Sequence, residues 1–218
     1  MADPDAAAVE LEHAVKQLGF KGALINGTIQ GRFLDDPFFA PLLAHAEALD
    51  VPLYLNPAPP PEAVQKAYFS GLEPGLSRIL AIAGWGWHAE QGLHTLRLIA
   101  TGVFDRFPKL RIVIGHMGEM IPFFLARIDA AVTPFAKGLQ RSVADYFHSN
   151  VHITTSGIFT APPLHLALEV VGADRIMFSV DYPYSSNEQG RAFLEKLSLS
   201  PADFEKITHG NAERLLKI

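Results

Sequence analysis

The chain has 218 residues, a net charge of −5 and no cysteine. That length suits one domain with a sizeable core, and 49% hydrophobic against 19% charged residues excludes a chain that stays disordered. The missing cysteines exclude a disulfide framework, a zinc finger, an iron–sulfur cluster and a cysteine nucleophile, and the acidic balance leaves no basic footprint for nucleic acid.

The first five residues have neither the basic nor the apolar region of a secretory signal. The longest apolar stretches are strand-sized, short of the roughly 20 residues of a membrane span. The expectation is therefore a cytoplasmic protein without membrane contact. Residues 5–18 predict an amphipathic helix with Leu11, Val15 and Leu18 on one face, started by Asp3-Pro4 and stopped by Gly19. The run Gly22-Ala-Leu-Ile-Asn26 follows. Residues 37–49 predict the next helix, and Pro52-Leu-Tyr-Leu-Asn56 the next strand. Residues 57–88 read as irregular, apart from a short helix near 62–70, and end in an aromatic loop, Gly84-Trp-Gly-Trp-His88. A long helix is expected over 90–106, then the run Arg111-Ile-Val-Ile-Gly-His116. Helices near 119–132 and 142–148 lead to Val151-His-Ile-Thr-Thr-Ser156. A helix at 162–171 leads to Arg175-Ile-Met-Phe-Ser-Val-Asp181. Two final helices cover 187–197 and 201–217, the second breaking near Gly210.

Five continuous apolar runs alternating with helices indicate strands buried on both faces, as in a parallel sheet. The fold class is α/β, with no linker dividing residues 1–218, which read as a single domain. Ligands of such folds sit at the carboxyl ends of the strands. Here those ends are Asn26, Asn56, His116, Ser156 and Asp181. His116 and Asp181 are the chemically strongest pair, since imidazole and carboxylate ligate divalent metals and carry protons. His13, His45, His94 and His165 fall inside helices and read as surface or packing residues. Trp85, Trp87 and His88 read as interface or packing residues first, and as the roof of an aromatic pocket second.

These segments resemble the amidohydrolase-related family of metal-dependent decarboxylases, the dihydroxybenzoate decarboxylases above all. The resemblance rests on Trp85-Gly-Trp-His88, Ile114-Gly-His-Met-Gly-Glu119, Ala126-Arg-Ile-Asp129, Phe178-Ser-Val-Asp-Tyr-Pro183 and Gly210-Asn-Ala-Glu-Arg-Leu-Leu216, and covers nearly the whole chain. It implies a (β/α)₈ barrel with one divalent metal, Zn²⁺ or else Mn²⁺ or Mg²⁺, and a small aromatic carboxylic acid substrate. It implies that Asp181 is a metal ligand, that His116 and Glu119 complete the catalytic group and are joined by Asp181 in it, and that His116 is a second ligand. Substrate contacts are implied for Asn56, Trp87, His88, Arg127 and Tyr182, with Arg127 acting in some relatives across a subunit contact of a homo-oligomer. The family's strand-5 motif Tyr-Leu-His-Pro stands here as Tyr54-Leu-Asn-Pro57, so Asn56 replaces a His ligand, and no Glu-x-His or His-x-His pair precedes Gly22. The strand ends recur every ~39 residues on average, so eight units need roughly 310 residues. The five runs are thus expected to be strands 4 to 8 of a barrel whose strands 1 to 3 are missing. The expected function is non-oxidative decarboxylation, impaired in this chain alone. The alternatives are an inactive oligomeric scaffold and a metal-dependent hydrolase on the same barrel.

Overall fold

Each of the five apolar runs forms a short strand. A computed structural model describes residues 1–218. Its strands are β1 (Ala23–Asn26), β2 (Leu53–Asn56), β3 (Ile112–Ile114), β4 (Val151–Thr154) and β5 (Ile176–Met177). They lie side by side in sequence order, and every pairing is parallel. The register puts Leu24, Tyr54, Val113 and His152 in one row, and Ile25, Leu55, Ile114 and Ile153 in another. Successive residues of a strand point to opposite faces, so these rows look opposite ways. The second row belongs to a core of 30 buried residues that also takes Leu53, Ile112, Val151 and Ile176 from the strands.

The helices supply the rest of that core. From α1 (Pro4–Lys16) comes Leu11, from α2 (Ala40–Leu49) Leu42 and Leu43, and from α5 (Gly86–Ala100) Leu98 and Ile99. Leu125 of α8 (Ile121–Val132), Phe147 of α9 (Val143–Asn150) and Leu164 of α10 (Ala161–Val171) complete the layer. Local signals start these helices where the sequence places them. Asp3 accepts the Ala6 amide hydrogen at 3.0 Å with Pro4 in the first turn, and Ser142 and Asp145 form a reciprocal capping box.

The other face of the sheet is less covered than a sheet buried on both sides. β3 and β4 are buried throughout, but Leu24 of the edge strand β1 is 58% exposed. It lines a largely apolar cavity of about 400 Å³ with Tyr54, Val113, Met177 and Leu215. Leu215 comes from α13 (Asn211–Leu216), which packs onto Val113 and Met177. Asn211 fixes this helix, its side-chain amide donating to the carbonyls of Ala173 at 2.6 Å and Ile176 at 2.7 Å.

Several boundaries differ from the expected ones. Residues 57–88 hold two helices, α3 (Glu62–Tyr68) and α4 (Pro74–Ala81), the second capped by the Glu73 side chain. The aromatic loop is in fact partly helical, since α5 begins at Gly86 and carries Trp87 and His88 in its first turn. The expected helix 90–106 is broken: Gly102 adopts φ 72°, and α6 (Val103–Arg106) follows. Only Ile176 and Met177 of the last run pair in the sheet. α11 (Asn187–Glu195) and α12 (Pro201–Glu205) stand as expected, and the break near Gly210 is a π-helical turn over Lys206–Gly210. No helix is long and apolar enough to cross a membrane.

His94 of α5 is a packing residue with a consequence for acid stability. It is buried, and its Nε2 accepts the Leu34 amide hydrogen at 3.0 Å. Burial, opposed by Asp35 and aided by Arg97, pushes its pKa down to about 4. The unfolded chain, with imidazoles near pH 6.5, therefore binds more protons between pH 6.5 and about 4. Stability is full above that window and falls as pH drops through it, by on the order of 3 kcal/mol from this group. His94→Gln, followed by urea unfolding at pH 7 and pH 4.5, should shrink that pH-dependent loss. An unchanged loss would remove His94 as its source.

Candidate active site

The carboxyl ends of β3, β4 and β5 carry an unusual density of left-handed backbone. After β3 the chain turns through α7 (His116–Glu119), where His116, Met117, Glu119 and the following Met120 have φ between 48° and 64°. Ser156 after β4 has φ 26°, and Asp181 beyond β5 has φ 67°. Non-glycine residues pay in steric strain for this region, and strained residues cluster at functional sites. Gly118, at φ 86°, sits where a Cβ would come within 2.9 Å of the Pro122 ring, so only glycine lets the turn close onto α8.

This turn brings three titratable groups together. Glu119 has a fully buried side chain. One carboxylate oxygen accepts a hydrogen bond from His116 Nδ1 at 2.7 Å, and the other from His88 Nδ1 at 2.6 Å. His88 reaches it because Gly92, one turn further along α5, lets the Glu119 backbone approach within 3.1 Å of where a Cβ would lie. The His88 and His116 rings meet edge to face at 4.7 Å between centroids. Trp87 donates its indole N–H to His88 Nε2 at 3.0 Å. Burial pulls the His116 pKa down, but the hydrogen bond and charge of Glu119, with the charge of Asp181, outweigh it and hold the imidazole above its usual value.

His116 Nε2 points the other way and stands 3.7 Å from an Asp181 carboxylate oxygen. Below this pair lies a cluster of hydroxyls that sequence reasoning missed. Tyr54 Oη is 3.0 Å from Thr154 Oγ1 and 3.2 Å from Ser156 Oγ, and Ser179 Oγ is 2.7 Å from Ser156 Oγ. The available signals were Ser156 at the strand end and its alternation with Thr154, the last residue of β4.

The remaining sequence candidates are placed less centrally. Asn56 donates its amide to Asn26 Oδ1 at 2.8 Å, bridging the ends of β2 and β1, and makes no hydrogen bond to His116 or Asp181. Tyr182 follows Asp181 and is 73% exposed. Arg127 lies exposed on α8, one turn past the exposed Phe123, and forms no ion pair or hydrogen bond within the chain. Phe123 and His116 both border an apolar cavity of about 530 Å³ with Met117, Met120 and Pro163.

His88, His116 and Glu119 each offer a ligand atom within 4.8 Å of the others, a grouping that is chemically able to hold a metal. As they stand, though, both carboxylate oxygens accept imidazole N–H groups at hydrogen-bonding distance. The free donors facing the open rim are His116 Nε2 and the Asp181 carboxylate. One nitrogen and one oxygen fit a divalent cation that completes its shell with other oxygens.

A family model described as amidohydrolase matches residues 1–218, the full chain. The chain belongs to the amidohydrolase family. Within this family it is 40% identical over 224 residues to decarboxylase orsB of Emericella nidulans, and 39% identical over 229 residues to gamma-resorcylate decarboxylase of Polaromonas sp.. Each match covers 100% of this chain and 68% of the relative. A crystal structure of dihydroxybenzoic acid decarboxylase from Polaromonas sp., with bound manganese and the inhibitor 2-nitroresorcinol, superposes with a TM-score of 0.91 at 38% identity. That match covers 100% of this chain and 67% of the other. The 5-carboxyvanillate decarboxylase LigW of Sphingomonas paucimobilis gives a TM-score of 0.90 at 35% identity, covering 99% of this chain and 64% of that one. The α/β fold with five parallel strands agrees with membership of this barrel-forming family.

Proposed function

We propose that this chain carries the catalytic rim of a divalent-metal-dependent decarboxylase acting on a hydroxylated aromatic carboxylic acid. The observation that supports it most is His116, held at Nδ1 by the buried Glu119 and turned with Nε2 toward Asp181.

In such a reaction a proton adds to the ring carbon that bears the carboxylate. The bond to the carboxylate then breaks, its electron pair restores the aromatic ring, and CO₂ leaves. Asp181, with His116 Nε2 beside it, would hold a divalent cation, which would supply positive charge to an anionic substrate. Glu119 locks the Nδ1–H of His116 in place, so Nε2 is the ring atom presented to the rim. Its raised pKa makes it a better proton carrier near neutral pH than a free imidazole. His116 Nε2 serves as second ligand or as proton donor, since one lone pair cannot do both. With an amide at position 56 in place of a third ligand, the donor set suits Mn²⁺ or Mg²⁺ better than Zn²⁺, and the metal is held more weakly than in the longer relatives.

Trp87 backs the His88–His116 ring pair through its bond to His88, and Trp87, His88, Asn56 and Tyr182 are assigned to the substrate side. Arg127 is exposed on α8, a placement compatible with a substrate contact made across two copies of a homo-oligomer. The five strands read as strands 4 to 8 of an eight-stranded barrel, with residues 1–218 as one amidohydrolase domain.

The test is direct. The purified chain, stripped with a chelator, is supplied with Mn²⁺, Mg²⁺ or Zn²⁺ and assayed for CO₂ release from 2,6- and 2,3-dihydroxybenzoate. Metal-dependent release, greatest with Mn²⁺, is expected. No release with any of the metals rejects catalysis by this chain.

A further inference from the structure

At the opposite end of the sheet, near the amino ends of β3, β4 and β5, lies a third cavity of about 380 Å³. Arg111, Arg175 and Arg214 line it together with His152 and Asn211, and Asp174 is the one carboxylate in its wall. The acidic groups nearby are already committed. Asp174 is 2.9 Å from Lys206 and only loosely placed, at 3.9 Å, against Arg214. Asp50 pairs with Arg111 and also with Lys217. Arg175 has no carboxylate within 4.0 Å; its one side-chain hydrogen bond goes to His152 Nε2 at 3.2 Å. Burial lowers its pKa first, and the positive charges of Arg111 and Arg214 lower it further.

The hydrogen-bond inventory independently shows a shortage of acceptors. An arginine only donates, so His152 Nε2 must accept and the neutral ring carries its proton on Nδ1. Burial and the three arginines push the His152 pKa down to about 3, in keeping with a neutral ring. That Nδ1 is buried with no partner, and so is Nε of Arg111. Buried donors are nearly always satisfied, yet two of the residues lining this cavity each carry a buried orphan, and a third, Arg175, has no carboxylate partner.

We infer that this cavity is a binding site for a small oxyanion, a phosphate or carboxylate group, with Arg175 as its main contact and Arg214 and Arg111 beside it. Guanidinium groups match both oxyanions in a two-pronged geometry. The site lies at the other end of the strands from the proposed metal rim, so it stands independently of the decarboxylase reading.

Titration calorimetry and thermal unfolding of the whole chain decide it, using inorganic phosphate, succinate and, as an ionic-strength control, sodium chloride. Saturable binding of phosphate or succinate with a rise in Tm is expected, and the better of the two identifies which oxyanion the site prefers. Arg175→Gln should weaken that binding by about tenfold or more, while Glu119→Gln leaves it unchanged. If Arg175→Gln does not fold, Arg214→Gln replaces it as the probe, with a smaller weakening expected. The inference is overturned if neither anion raises Tm beyond chloride at equal ionic strength, or if the arginine variant binds as tightly as the parent.

Discussion

Replacing Glu119 by Gln is expected to lower turnover by about 10²–10³-fold, the usual worth of a positioned proton carrier. Glutamine keeps the shape of the side chain but offers one acceptor oxygen where two imidazole N–H groups now find two. Its NH₂ end then faces an N–H donor in a fully buried position. The mismatch costs about 1–3 kcal/mol of stability, small enough for the protein to stay folded. The Glu119 hydrogen bond and charge that hold the His116 pKa up also disappear, leaving burial to pull it down against Asp181 alone. A pH–rate profile separates this from simple loosening: the alkaline limb should move to lower pH. An unchanged rate, or a uniform loss at every pH, would mean that Glu119 does not govern the proton on His116.

The second large effect is structural. Phe147 is fully buried in the main core, on a helix packed between β4, α5 and α8. Phe147→Ala removes most of a large side chain and leaves a cavity, a change that costs about 3–5 kcal/mol. Against a typical total of about 5–15 kcal/mol this is a substantial share. Denaturant unfolding should show a lower midpoint with an unchanged slope. Because α5 carries His88, the metal-dependent activity of this variant should fall at temperatures where the parent is still fully active. A loss below about 1 kcal/mol would place the ring outside the load carried by the core.

Much of this architecture was legible in the sequence because its signals are local. Continuous apolar runs such as Ile112–Ile114 and Val151–Thr154 announce buried parallel strands, and Asp3-Pro4 announces the helix that Asp3 caps. The strand-end positions of His116 and Asp181 followed from the same pattern. What was hidden depended on packing across distance. Nothing near His88 in the sequence reveals that Gly92 allows Glu119, 31 residues on, to close against it. The early start of α5 was masked by two glycines and two tryptophans that look like a loop. Leu24 reads as a buried strand residue, because periodicity cannot say that β1 is an edge strand whose Leu24 side faces an open cavity. Three arginines far apart in the sequence meet only once the strands align.

The strands follow one another in space as they do along the chain, and the last one pairs over the shortest length. β5 contributes only two residues to the pairing, and its continuation is tied to the π-turn by the Phe178 amide donating to Ile207 at 2.7 Å. β5 has one strand neighbour where β3 has two, and side chains supplement its short ladder, Thr155 and Ser179 exchanging hydrogen bonds at 2.6 and 2.9 Å. Asp181 rides on the continuation of β5 while His116 is rooted in the middle of the sheet. The two halves of the rim therefore depend on different supports, His116 on the mid-sheet ladder and Asp181 on the side-chain bonds that tie Ser179 to Thr155 and Ser156, so their separation is set by hydroxyls rather than by strand pairing.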